Sequence, residues 1–142
     1  MADYFIEHRV AESIAREAGH RMLRARGRDF EVSLKAQNDL VTSIDTEIED
    51  FVKGELRRAF PQDTVVGEEG GAEGSSSHRR WFVDPIDGTM NFVQGIGVFC
   101  VSIGLAVDGE FEVAAIYEPG RDELFSGRRG AKPMLNGAAI AV

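Results

Sequence analysis

The chain has 142 residues, the size of one domain with one sizeable core. Its 43% hydrophobic and 28% charged residues are ordinary for a globular protein. With 16 Lys and Arg against 24 Asp and Glu the formal charge is −8, which argues against a general nucleic-acid or anionic-membrane surface, whereas a phosphorylated metabolite stays admissible where metal ions reverse the local sign.

In chain order, the spacing of Ile6, Val10, Ile14, Ala18 and Met22, with Ala11 and Ala15 beside them, predicts a helix running to about Arg26, with Gly27 as its stop. A short extended stretch follows at Phe30 to Leu34. A second helix is expected from Ser43 to Phe60, with Ile44, Ile48, Phe51, Val52 and Leu56 on one face and Pro61 closing it. Thr64 to Val66 reads as a strand ending at Gly67-Glu68-Glu69-Gly70, and Gly71 to Arg80 as a mobile polar loop. Strands are predicted at Trp81-Phe82-Val83, Val98 to Val107, Phe111 to Tyr117 and Glu123 to Phe125, with Asp108-Gly109 as a hairpin turn. Helices followed by mostly antiparallel strands imply an α+β fold, with the N-terminal helices packed on the sheet.

Cys100, the single cysteine, reads as a small buried hydrophobe in Val98-Phe99-Cys100-Val101, so a reducing compartment is expected. The N-terminus lacks a basic region followed by an apolar run, and nothing approaches the ~18 apolar residues of a membrane span. A cytoplasmic location is therefore the expectation. His8, His20 and His78 show no ligand spacing and read as surface residues.

The chemistry concentrates in Trp81-Phe82-Val83-Asp84-Pro85-Ile86-Asp87-Gly88-Thr89-Met90-Asn91-Phe92. Two carboxylates three residues apart end an apolar run, and Gly and Thr follow where the backbone turns and offers N–H groups. Hard divalent cations take carboxylate and carbonyl oxygens, and phosphate takes backbone donors. The same residues also read as an ordinary turn, since Asp-Pro and Asp-Gly are turn pairs and Thr caps helices. Context favours a site: carboxylates at the mouth of a hydrophobic strand repel one another unless neutralised, and Mg²⁺ would supply the charge. An EF-hand loop from Asp84 fails, because its sixth and twelfth positions hold Thr89 and Gly95 instead of Gly and Glu. An aspartate-nucleophile phosphatase loop has its aspartates two apart, so the three-residue spacing here misplaces the second as acid/base.

Val83 to Phe92 resembles the signature of the inositol monophosphatase family throughout, and further landmarks resemble it in order. These are Asp39-Leu40-Val41-Thr42 with Asp45, Gly67-Glu68-Glu69, Val101-Ser102-Ile103-Gly104, and Gly130-Ala131 with Asn136-Gly137. The resemblance implies a layered α/β sandwich of the sugar-phosphatase type and a Mg²⁺-dependent phosphomonoesterase acting on a small polyol or sugar phosphate. Inositol monophosphate is one such substrate, and fructose bisphosphate, nucleotide 3′-phosphate and histidinol phosphate are alternatives. It implies that Glu68, Asp84 and the Ile86 carbonyl hold one Mg²⁺, and Asp84 with Asp87 a second. Asp87 would bind substrate, the Gly88 and Thr89 amides would receive its phosphate, and Thr89, hydrogen-bonded to Asp45, would orient or activate the attacking water, with Glu68 completing the catalytic set. Lys35 resembles a family lysine near the metals, although its spacing from Asp39 differs by one residue.

Asp45 also fits a capping-box acid, Glu68 a solvated loop acid, and Glu69 a solvated or supporting residue. Gly97 stands where many members of the family have Pro. Members also continue into a second α/β half, with a Trp-Asp-x-Ala aspartate that completes the second metal site. Residues 1–142 are therefore expected to form a single N-terminal metal- and phosphate-binding domain, the C-terminal half being absent. A homodimer is expected from the resemblance, with no nucleic-acid or membrane partner. The alternative is a non-catalytic metal-binding or regulatory module that keeps the fold.

Overall fold

The first helix, α1 (Phe5–Ala25), turns its small residues inward, burying Ala11, Ile14, Ala15, Ala18, Met22 and Ala25. Steps of three and four alternate along this stripe, as a 3.6-residue turn requires. The expected stripe stepped uniformly by four, which overshoots by roughly 40° per step. Ile6 accordingly falls off the buried face and is 62% exposed. The computed structural model describes residues 2–37, 39–76 and 78–142, without the side chain of Asp39. Asn38 and Ser77, the latter part of the expected polar loop, lie outside the described residues.

A hairpin of β1 (Val32–Ala36) and β2 (Asp39–Thr42) leads into α2 (Ser43–Ala59). Thr42 caps that helix: its hydroxyl accepts the Asp45 amide at 3.2 Å, and Asp45 Oδ2 accepts the Thr42 amide at 2.8 Å. Ile44, Ile48, Val52 and Leu56 are buried as expected. Asp45, Glu49 and Lys53 are buried too, which the apolar pattern did not foretell.

The remaining strands are β3 (Thr64–Gly67), β4 (Gly71–Glu73), β5 (Arg79–Asp87), β6 (Cys100–Val107), β7 (Glu110–Glu118), β8 (Glu123–Arg128), β9 (Met134–Leu135) and β10 (Ala138–Ala139). They form one sheet in the order β10-β9-β8-β7-β6-β5-β3-β4, antiparallel except for the parallel pair β3–β5. Both long helices pack on one face of this sheet, their apolar stripes meeting Val65, Trp81, Val101, Ile103, Leu105, Val113, Ala115 and Tyr117. The fold is thus α+β, with N-terminal helices on a mostly antiparallel sheet.

Two expectations need correction. Gly71 to Arg80 is not a loop throughout: Gly71–Glu73 doubles back on β3 as an edge strand, and Arg79 and Arg80 already belong to β5. The Thr64 hydroxyl ties the intervening turn by donating to the Ser76 carbonyl at 2.6 Å. His8 is not a surface residue. It is 5% exposed, with Nε2 3.3 Å from Glu12 Oε1, because α1 seats its first turns against β8, where the Ser126 hydroxyl donates to the same Glu12 oxygen at 2.6 Å. Burial first, and nearby Arg128 and Arg9 after it, hold the His8 pKa below its ordinary value against the pull of Glu12. His20 meets the Tyr117 hydroxyl at 3.3 Å, and His78 is exposed beside Asp108.

Candidate active site

β5 continues past Asp84, where the sequence pattern ended it, and reaches Asp87 through an irregularity. Asp84 stands opposite Ser102 and Asp87 opposite Cys100, so three steps on β5 match two on β6. Pro85 lies inside this bulge and has no N–H to give to a ladder. In a regular strand residues three apart point to opposite faces. The extra residue changes that parity, and Asp84 and Asp87 line the same cavity of about 260 Å³ with Lys35, Glu68, Ile86, Gly88 and Thr89.

Gly88 then turns the chain at φ 94°, and α3 (Thr89–Val93) begins. A Cβ at residue 88 would lie 3.0 Å from the Val98 carbonyl, so both the conformation and the close approach demand glycine. The Asn91 side chain donates to the same carbonyl at 2.8 Å and holds the following loop against the turn.

Thr89 Oγ1 lies 3.0 Å from Asp45 Oδ1 and 3.1 Å from the Ile86 carbonyl oxygen. Asp45 Oδ2 is engaged separately by the Thr42 amide at 2.8 Å and the Thr42 hydroxyl at 2.6 Å. Asp45 therefore makes the capping bonds through one carboxylate oxygen and the Thr89 contact through the other. Asp45 is 1% exposed, so this orientation is held by packing as well as by hydrogen bonds.

Lys35 reaches across from β1 and places Nζ 2.9 Å from Glu69 Oε1 and 3.3 Å from Glu68 Oε1. Partial burial disfavours its charge, but the hydrogen bonds and charges of Glu69 and Glu68 outweigh that and hold its pKa above the ordinary value. Glu69 is raised, by burial first, with Lys35 opposing. It is thus a supporting acid and not a freely solvated one. Glu68 is held low, first by hydrogen bonding with Asp84 and then by Lys35.

Asp84 carries the strongest electrostatic signal. Burial, followed by Glu68, Asp87 and Asp45, pushes its carboxyl up to about 8. Its Oδ1 is buried without a hydrogen-bond partner. Among the described residues no three His, Cys, Asp or Glu side chains are drawn into a closed metal cluster. Nevertheless, three carboxylates and a carbonyl line one cavity, with an orphaned oxygen and mutual repulsion between the acids. That donor set suits a hard divalent cation. Next to it, Cys100 is half-buried, and burial first, with Asp87, Asp84 and Glu118 after it, pushes its thiol up to about 11. This is the opposite of an activated nucleophile.

The structure brings Asp45, Glu68, Asp84, Ile86, Asp87, Gly88, Thr89 and Lys35 around one region. Sequence reasoning missed Glu49 and Lys53, which hold the Glu68–Glu69 loop from beneath. Their signal was available: both repeat the four-residue spacing from Asp45 along α2.

The profile of the Inositol monophosphatase family matches residues 7–142. The Nus factor SuhB of Vibrio cholerae is 38% identical over 136 residues, which cover 94% of this chain and 51% of that protein. The fructose-1,6-bisphosphatase/inositol-1-monophosphatase of Aquifex aeolicus is 44% identical over 108 residues, covering 76% of this chain and 41% of the relative. The crystal structure of the extragenic suppressor protein suhB from Bartonella henselae superposes with a TM-score of 0.91 at 36% identity, covering 94% of this chain and 53% of that one. The chain spans about half the length of the relatives it matches.

Proposed function

The chain belongs to the inositol monophosphatase family, and from that premise we propose that it carries the metal and phosphate site of a Mg²⁺-dependent phosphomonoesterase acting on a small polyol or sugar phosphate. The observation that carries this reading is the Thr89 hydroxyl, set between Asp45 Oδ1 at 3.0 Å and the Ile86 carbonyl at 3.1 Å beside the orphaned Asp84 oxygen.

In this proposal Glu68, Asp84 and the Ile86 carbonyl hold one cation, and Asp84 with Asp87 a second. Bound Mg²⁺ would lower the pKa of water, screen the phosphate and stabilise the leaving alkoxide. The chain's own groups do the rest. The Thr42 bonds on Asp45 Oδ2 leave Oδ1 to accept the Thr89 hydroxyl hydrogen. Lone pairs on Thr89 Oγ1 then face an incoming water and accept its proton as Thr89 passes its own to Asp45, a general-base relay. The Gly88 and Thr89 amides receive phosphate oxygens as the chain turns into α3, and Asp87 orients the substrate. Lys35 sets a positive charge at the cavity wall beside Glu68 and Glu69. Water attacks phosphorus in line, and no phosphoenzyme forms.

Phosphate release from inositol monophosphate with Mg²⁺ tests the proposal on wild type, Thr89→Ala and Asp87→Asn. Thr89→Ala is expected to cut turnover by about a hundredfold or more, the usual scale of a lost general-base contact. Equal turnover in all three proteins would sink the reading. Fructose bisphosphate, a nucleotide 3′-phosphate and histidinol phosphate in the same assay sort the substrate class. A cytoplasmic homodimer is part of the same proposal, and among the described residues no helix is long and apolar enough to cross a membrane.

A second reading, a binding or regulatory module that keeps the fold without turnover, draws support from the Vibrio cholerae relative, which is named a Nus factor. Mg²⁺ binding by calorimetry without phosphate release on any of these substrates is the outcome that selects it.

A further inference from the structure

Glu49 sits in the middle of α2 at 1% exposure, yet both of its oxygens accept backbone amides from outside its own helix. Oε1 accepts the Glu69 amide at 2.7 Å and Oε2 accepts the Gly70 amide at 2.6 Å, so one carboxylate grips two consecutive peptide groups of the loop after β3. Lys53, one turn on and 3% exposed, donates to the Gly71 carbonyl at 2.8 Å and lies 3.5 Å from Glu49 Oε2. The contact is close on both sides. A Cβ at Gly67 would meet Glu49 Cδ at 2.4 Å, and one at Gly70 would meet Glu49 Oε2 at 2.9 Å and Lys53 Nζ at 3.1 Å.

A buried carboxylate is costly unless its hydrogen bonds are satisfied, and a solvated loop would not need one. Its two acceptors match two backbone donors whose direction fixes the peptide planes on either side of Glu69. Glu68 immediately precedes those planes and lines the same cavity as Asp84, Asp87 and Thr89. Four residues earlier on the same helix, Asp45 holds Thr89 at 3.0 Å. Residues four apart share a helix face about 6 Å apart along the axis. One rigid face of α2 thus carries Asp45 towards the Asp84–Thr89 loop and Glu49 with Lys53 towards the Glu68–Glu69 loop.

We propose that Glu49, assisted by Lys53, is a positioning residue: it holds Glu68 in register with Asp84 and Asp87 before any cation arrives, so that α2 spaces the two ligand loops of the site. This rests on the metal-site reading above. Without the carboxylate the loop would have to be ordered at the moment of binding, and apparent cation affinity would fall by the fraction of chains already in register. Glu49→Gln keeps the size of the side chain but turns an NH₂ group towards one of the two amides.

Magnesium chloride titrated calorimetrically into the 142-residue chain, paired with amide hydrogen exchange on the cation-free protein, tests the proposal. Glu49→Gln is expected to weaken Mg²⁺ binding at least tenfold and to speed exchange at Glu69 and Gly70 at least tenfold, with Ile48 and Val52 on α2 exchanging as in wild type. Gly70→Ala, whose Cβ would fall 2.9 Å from Glu49 Oε2 and 3.1 Å from Lys53 Nζ, displaces those side-chain ends from the loop without removing a buried charge. It is expected to do the same and covers the case in which Glu49→Gln does not fold. Wild-type Mg²⁺ affinity in the folded variants, or unchanged exchange at Glu69 and Gly70, overturns it. If wild type itself binds no Mg²⁺, the metal-site reading fails. Positioning is then judged on exchange alone: local loosening at residues 69 and 70 supports it, and unchanged exchange defeats it.

Discussion

Asp84 shows how far one residue's surroundings can differ from its sequence context. Its carboxyl is pushed up to about 8 by burial and by Glu68, Asp87 and Asp45, against about 3.9 for an unperturbed aspartate. The folded chain therefore binds this proton more tightly than the unfolded chain. The stabilising contribution is complete below about pH 4 and is lost as pH rises through about 8. In chelator-treated protein, Asp84→Asn is expected to raise Tm by several degrees at pH 8.5 and to leave it nearly unchanged at pH 4. Mg²⁺ should raise the wild-type Tm at pH 8.5 and do so much less for Asp84→Asn. Equal Tm differences at both pH values, measured by scanning calorimetry, would contradict the assignment. The Asp84–Thr89 loop stood out in the sequence as a candidate because its carboxylates, glycine and threonine are adjacent. Asp45 was legible only as a choice between cap and site, and the structure shows one carboxylate oxygen on the Thr42 cap and the other on the Thr89 hydroxyl.

At the scale of elements, periodicity located the second helix and the end of the first within a residue or two, because apolar stripes on a 3.6-residue turn are strong signals. It missed what α2 does with its polar stripe. Glu49 and Lys53 look like a solvated pair at i and i+4, and only the tertiary approach of the Gly67–Gly70 turn shows what they bind. The short edge strand Gly71–Glu73 was missed for a related reason: its residues have weak strand propensity, and pairing with β3 decides the matter. β5 anchors the site through Trp81, three residues before Asp84. Trp81 is fully buried, stacks on Phe60 at 5.3 Å between ring centroids, and donates Nε1–H to Asp63 Oδ2 at 2.8 Å. Asp63 also accepts Arg79 Nε at 2.7 Å, so the indole and the guanidinium share one buried carboxylate. Trp81→Phe loses both a hydrogen bond and packed volume, and is expected to cost about 2–4 kcal/mol. Urea denaturation should show a lower midpoint with an unchanged slope, and Mg²⁺ binding should persist because the β5–β6 register is held by the backbone.

At the scale of the molecule, helices cover one face of the sheet only, among the described residues. The other face carries Ile116, opposite Ser102 on β6 and Phe125 on β8, with Phe111 packed beside Phe82 at 5.8 Å between ring centroids. Phe111 is 61% exposed, and Ile116 and Phe125 are exposed as well. Strand alternation explains Ile116, since Val113, Ala115 and Tyr117 point to the helices and the residues between them point away. Phe111 shares their parity and is turned outward by the bulge where Leu105–Ala106 faces Val113–Phe111. Between Phe82, Phe111 and Ala114 an apolar cavity of about 440 Å³ opens next to Glu68 and Asp84. Contiguous exposed apolar side chains mark interaction surfaces. At physiological salt, where the Debye length is about 8 Å, the repulsion from a charge of −8 is screened beyond contact range. The 142-residue chain is therefore expected to self-associate through this face as concentration rises. Sedimentation velocity from about 5 to 200 μM should show the sedimentation coefficient climbing for wild type and flat for a Phe111→Lys, Phe125→Lys double variant. Because both side chains lie on the face away from the helical core, the variant should keep its Tm within a few degrees. A wild-type chain that stays monomeric over that range would show that the open face is adequately hydrated as it stands.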